Sequence, residues 1–104
     1  MLTITAVIRA KTGYEDVLRA ALLEVAEHVQ ANEPETRGFF VSRDLEDPAV
    51  FTTYERFSSR EAMDTHNGSD VVARFFDIAK PIIEGDVVLV TSTELSSKKE
   101  GAQA

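Results

Sequence analysis

The sequence predicts an α+β fold of the ferredoxin-like type, a split βαβ arrangement with an antiparallel four-stranded sheet. Two observations predict it. The order of patterned segments is strand, helix, strand, strand, helix pair, strand. The joints carry turn and capping signals, among them Asp47-Pro48, Asn67-Gly68 and two Ser/Thr-x-x-Glu sets. The right-handedness of βαβ crossovers then puts all the helices on one face of the sheet.

Residues 3–10, TITAVIRA, alternate. Ile4, Ala6 and Ile8 share one face, and Thr3, Thr5, Val7 and Arg9 the other, which is the period of a strand. Thr12 is placed to cap the next helix, with Glu15 reaching back in a capping box. That helix carries Leu18, Ala21, Leu22, Val25 and Val29 on one stripe and ends near Asn32, before Pro34. Residues 38–45 read as a second strand and 50–57 as a third, joined by a turn at Asp47-Pro48. Ser58 and Glu61 form a second capping box opening a short helix through His66. Asn67-Gly68 breaks it. Ser69 caps a further helix with Val72, Phe75, Phe76 and Ala79 at helical spacing. Residues 86–94 are the last strand.

A folded domain is expected over 1–95 and a disordered polar tail over 96–104. The 104 residues suit one domain. The net charge of −7 and the scattered basic residues argue against nucleic acid or an anionic membrane as partner. There is no cysteine, which excludes disulfides, thiolate metal sites and a thiol nucleophile. The opening stretch is too short and too alternating to be expected as a signal peptide or membrane span, so a cytoplasmic setting is expected.

The second face of the sheet poses a conflict. It should be polar if it meets water, yet Val7, Phe39, Val41, Val50, Tyr54, Val88 and Val90 are assigned to it. With every helix on the other face, a second copy of the chain is the simplest cover. A homodimer with sheets packed face to face is therefore expected.

Residues with chemical potential gather between Val50 and Ser69. His66 follows Ala62 and Met63 at helical spacing and so shares their sheet-facing stripe. It reads either as a half-buried histidine bonded to a backbone carbonyl, or as a base or donor to a ligand. Glu55 shares parity with Phe51, Thr53 and Phe57. Burial there would raise its pKa unless Arg9, Arg43 or His66 pairs with it. Tyr54 points to the opposite face, so the two cannot line one pocket without a bulge. Phe40, Phe75 and Phe76 read as core or as walls for a flat aromatic ligand. His28 reads as a surface residue. No metal-motif spacing, P-loop or dinucleotide fingerprint occurs, so neither a metal nor a nucleotide cofactor is expected.

With these residues in view, the chain resembles the antibiotic biosynthesis monooxygenase family over residues 1–94. The likeness rests on F-x-x-Y-E-x-F at 51–57, a short capped helix with Glu61-Ala62 in its first turn, and His66 before a polar break and a Ser-capped helix. It rests also on R-D-x-E-D-P-x-x-F at 43–51. The resemblance implies a dimeric α+β barrel and a cofactor-independent monooxygenase that oxidises quinols or anthrones with O₂. By position it makes His66 the base or donor, places Tyr54 and Glu55 at the family's Y-E pair, and gives Phe40, Phe75 and Phe76 to the slot. Phe57 stands where aromatic oxygenases of this type carry a tryptophan. Ala6, and Phe76 or a neighbour, stand where the haem-degrading branch has an asparagine and a ligating histidine, which disfavours haem. A branch acting on phosphorylated signal molecules would need a cationic pocket, for which only Arg9 and Arg43 look placed. A non-oxidative isomerase or lyase on the same scaffold, and a non-catalytic ligand-binding dimer, are the alternatives.

Overall fold

The structure, a computed structural model, describes residues 1–98. The elements are β1 (Leu2–Arg9), α1 (Glu15–Asn32), β2 (Thr36–Arg43), β3 (Val50–Phe57), α2 (Arg60–Asn67), α3 (Asp70–Ala79), a 3₁₀ turn at Lys80–Ile82, and β4 (Val88–Thr93). The expected tail from residue 99 onward lies outside the described residues; the chain has left regular structure by Glu94. The strands form one antiparallel sheet in the order β2-β3-β1-β4, so β1 and β3 are central. This is the α+β, ferredoxin-like arrangement read from the sequence.

Burial follows the two periods. From β1, Ile4, Ala6 and Ile8 are buried; from β3, Phe51, Thr53, Glu55 and Phe57. The α1 stripe Leu18, Ala21, Leu22, Val25 and Val29 packs onto this face, joined by Phe75, Ala79 and Ile82. Ile4, Phe57 and Met63 form a smaller cluster beneath α2. Each fully buried large apolar side chain contributes about 1.5–3 kcal/mol, and most of the stability of α1 comes from packing this stripe on the sheet.

Several local expectations need correction. Thr12 does not cap α1. Tyr14 holds the N-cap position without a side-chain bond, and Glu15 Oε1 accepts from the Gly13 N–H at 2.8 Å. Gly13 has a φ of +91°, a turn conformation that disfavours any side chain. The α2 cap is Ser59, not Ser58: its Oγ accepts from the Ala62 N–H, and Glu61 takes no part. Two adjacent serines made the capping pattern ambiguous by one residue.

The larger correction concerns β2. It runs over Thr36–Arg43, not 38–45, with a register shift between Thr36 and Gly38. Phe39 pairs with Glu55 and Phe40 with Tyr54. Phe39 and Val41 therefore face the helices and join the core, while Phe40 lies on the other face, 57% exposed. Two neighbouring phenylalanines carry no alternation to read. Pairing with β3 decides which one is inside, and a one-residue slip exchanges them. The Phe40 ring stacks on Tyr54 at 6.2 Å and lies over Gly38, where an added Cβ would come within 2.9 Å of it.

The outward face carries Val7, Phe40, Tyr54, Val88 and Val90, all exposed. The sequence assigned four of these five residues to it; Phe40 replaces Phe39 and Val41. Among the described residues no helix is long and apolar enough to cross a membrane.

Candidate active site

Three pieces of local structure place His66. Ser59 fixes the start of α2. Ser69 fixes its end, donating through Oγ to the His66 carbonyl at 2.7 Å while capping α3. Helical spacing from Ala62 and Met63 then turns the imidazole inward, where it is only 4% exposed. Its ring lies between those of Phe39 and Phe57, with centroids 5.6 and 5.4 Å away.

Both ring nitrogens face carboxylates. Nδ1 meets Glu33 Oε1 at 2.8 Å, and Nε2 stands 3.3 Å from Glu55 Oε1. Each carboxylate has a second partner. Thr53 Oγ1 donates to Glu55 Oε2, and Thr36 Oγ1 to Glu33 Oε1, both at 2.8 Å. Glu33 Oε2 is buried without an aligned hydrogen bond; the His28 Nε2 atom is 3.4 Å away. Burial alone would push the His66 pKa down. The contacts with Glu55 and Glu33, and their charges, outweigh it and hold the ring above the ordinary histidine value. The end of α2 adds to this, since the last turn of a helix favours a cation.

Glu55 and His66 form one wall of a pocket of about 210 Å³ between sheet and helices. Thr53 and Asn67 are its other polar residues. The remainder is apolar, including Ala6 and Ile8 of β1, Val25 of α1, and Val72, Phe75 and Phe76 of α3. Its polar wall offers a carboxylate acceptor and an adjacent ring nitrogen.

The sequence-derived site residues separate into three groups. Glu55, His66, Phe75 and Phe76 all line the pocket. Phe57, 0% exposed, stands behind His66 rather than in the pocket wall. Tyr54 and Phe40 lie on the opposite face, away from the pocket. There Tyr54 donates to Glu94 Oε2 at 3.0 Å, and Arg56 grips both oxygens of Glu94 at 2.9 and 2.8 Å. The Arg56 guanidinium pulls the Glu94 pKa down to about 2, while desolvation and Glu94 raise that of Tyr54. Of the partners considered for Glu55, His66 is the one in place. Arg9 pairs with Asp47 at 2.6 Å, and Arg43 lies over the Phe51 ring. Among the described residues no cluster of three or more acidic or histidine side chains is arranged to hold a metal ion.

Glu33, Phe39 and Thr53 were missed. Glu33 had one legible signal. It is an acid at the C-cap of α1, a helix with no basic residue in its last turn, where the helix dipole disfavours negative charge.

The family model for antibiotic biosynthesis monooxygenases matches residues 1–78. The chain belongs to this family. Solved structures agree in fold. A Deinococcus radiodurans protein named for the same family superposes with a TM-score of 0.85 at 21% identity, covering 98% of this chain and 100% of its own. The Mycobacterium tuberculosis protein Rv0793 gives 0.85 at 19% identity, covering 94% of this chain and 98% of its own. At these identities the likeness speaks for the fold alone. No protein of curated function matches the sequence.

Proposed function

We propose that this member of the antibiotic biosynthesis monooxygenase family is a cofactor-independent monooxygenase acting with O₂ on a small electron-rich aromatic of quinol or anthrone type. One observation carries the reading: an apolar pocket whose single ionisable wall is the Glu55–His66 pair. The chemistry needs a base, a donor for the resulting oxyanion, and a space that excludes water. Loss of the hydroxyl proton makes the aromatic ring a strong reductant. It passes one electron to O₂, and the two radicals join as a peroxide on a ring carbon. Loss of water leaves a carbonyl. One oxygen atom stays on carbon, the other departs as water, and the substrate supplies all the electrons.

Phe75 and Phe76 serve as slot walls in this reading. Phe57 backs the imidazole, and Tyr54 and Phe40 belong to a subunit contact instead of the chemistry. The exposed residues Val7, Phe40, Tyr54, Val88 and Val90 make an apolar sheet face that a second copy covers, giving a dimeric α+β barrel. The setting proposed is the cytoplasm, in keeping with a chain that uses no cysteine.

The test is O₂ uptake with a panel of dihydroxynaphthalenes and anthrones, with His66→Ala and Glu55→Gln as controls. Uptake above the uncatalysed rate, lost in both variants, is the expected result. No uptake across the panel, or product formed equally well without O₂, would overturn the reading in favour of a binding protein or a non-oxidative enzyme respectively.

A further inference from the structure

The Glu55–His66 pair offers two groups that can take a proton, and the surroundings of the ring divide the roles. A neutral imidazole has one N–H and one lone pair, whereas an ionised carboxylate only accepts. With Glu33 at 2.8 Å from Nδ1 and Glu55 at 3.3 Å from Nε2, a neutral ring would set its lone pair against one of them. A ring protonated at both nitrogens donates to both. The other groups facing it do not disturb this: Phe39 from β2 and Phe57 from β3 present only rings. His28, also on α1, reaches Glu33 and not His66. Glu33 does not line this pocket; it faces a separate cleft of about 250 Å³ with Glu35 and Ser59, and it meets the pocket only through its contact with the imidazole.

We propose that His66 is a fixed cation of the pocket, that Glu33 is the positioning residue that keeps it so, and that Glu55 takes the substrate's proton. The proposal deepens the monooxygenase reading and rests on it for the identity of the proton donor, an aromatic hydroxyl. In the step, the substrate O–H bond breaks and an O–H bond forms on Glu55. The electron pair stays on the substrate oxygen, and His66 keeps both its protons. Its Nε2–H is held only loosely by Glu55. As Glu55 becomes neutral, that N–H turns to the new oxyanion. Before the step the cluster of Glu33, His66 and Glu55 carries −1; afterwards it is neutral and the substrate carries −1. No net charge is created in the apolar pocket, which is what makes the transfer feasible there. The ligand class follows: an aromatic hydroxyl acidic enough to give its proton to a carboxylate.

Two measurements test this without turnover. Nitrogen-15 spectra of the His66 ring in the wild-type protein should show both nitrogens protonated through neutral pH. In Glu33→Gln, whose amide oxygen still accepts from Nδ1–H, the midpoint should fall by about one pH unit or more, and Glu33→Asp should restore it. A purely structural contact would be preserved by glutamine and would move neither reading. The second probe is 4-nitrophenol, whose ionised form absorbs in the visible. The wild type should bind it as the anion, and Glu33→Gln should bind that anion about tenfold more weakly, the scale of a lost charge-assisted hydrogen bond. A singly protonated wild-type ring, or an unchanged midpoint and anion affinity in Glu33→Gln, would overturn the proposal. A doubly protonated ring in a protein that consumes no O₂ with any quinol would sink the oxygenase reading alone.

Discussion

His66 Nδ1 and Glu33 Oε1 meet at 2.8 Å across 33 residues of sequence, joining the last turn of α2 to the end of α1. The contact ties a buried imidazole to a carboxylate that the α1 helix dipole would otherwise repel.

Stability should depend on pH through this contact. The His66 pKa is raised on folding. Its contribution is therefore fully present below the unfolded histidine value, about 6.5, and is lost as pH rises through the folded value. Urea midpoints should fall from pH 6 to pH 9 in the wild type, and the fall should shrink in His66→Gln. An identical slope in both proteins would contradict it.

The pocket and the layer behind it should respond differently to truncation. Phe57 is fully buried against Ile4 and Met63, so Phe57→Ala should cost about 3–5 kcal/mol, measured by denaturant unfolding. Phe76 is 53% exposed and packs edge-on against Phe75, with centroids 5.3 Å apart. Phe76→Ala should cost no more than about 1 kcal/mol while widening the pocket. Equal losses in the two variants would mean that Phe76 is core and not a pocket wall.

The contrast between these phenylalanines shows what the sequence could and could not reveal. The strand Val50–Phe57 and the inward side of Glu55 and Phe57 were legible, because β3 alternates cleanly and its neighbour β1 does too. His66 was legible as an inward residue of α2 by helical spacing. The inward side of β2 was not, since Phe39-Phe40 has no alternation and the shift at Thr36/Gly38 changes register. Glu33 was not legible as a partner of His66, because no local pattern encodes a contact between a helix end and a helix 33 residues away. The pocket wall depends on the first through Phe39, and the hold on the imidazole depends on the second, so both required the assembled sheet.

Glu94 gives an acid-side prediction. Its folded pKa is pulled down to about 2, chiefly by Arg56, so its contribution is present above the ordinary carboxylate value and lost as pH falls toward 2. In Arg56→Met, carbon-13 titration of the Glu94 carboxyl should move up toward the ordinary glutamate range, and the Tyr54 hydroxyl should be the donor that remains. A Glu94 midpoint unchanged in Arg56→Met would show that the guanidinium is not the cause. The cluster sits on the outward sheet face, so the same substitution bears on assembly.

That face supplies the last prediction. β4 is an edge strand, and its Val88 and Val90 lie exposed beside Val7 and Thr5 of β1. Tyr54 and Phe40 continue the apolar surface across β3 and β2. Apolar groups set side by side across a sheet gain little in water and much when a second sheet excludes it. The protein at micromolar concentration should therefore scatter light as a species of twice the chain mass. Val90→Glu places a carboxylate in the middle of this apolar face, where a two-fold pairing would bring its copy near. It should shift the species to the monomer while leaving far-ultraviolet circular dichroism unchanged, because Val90 makes no part of the core beneath the helices. A wild-type monomer at that concentration would refute the face-to-face pairing, and a Val90→Glu protein that stays dimeric would place the contact elsewhere on the surface.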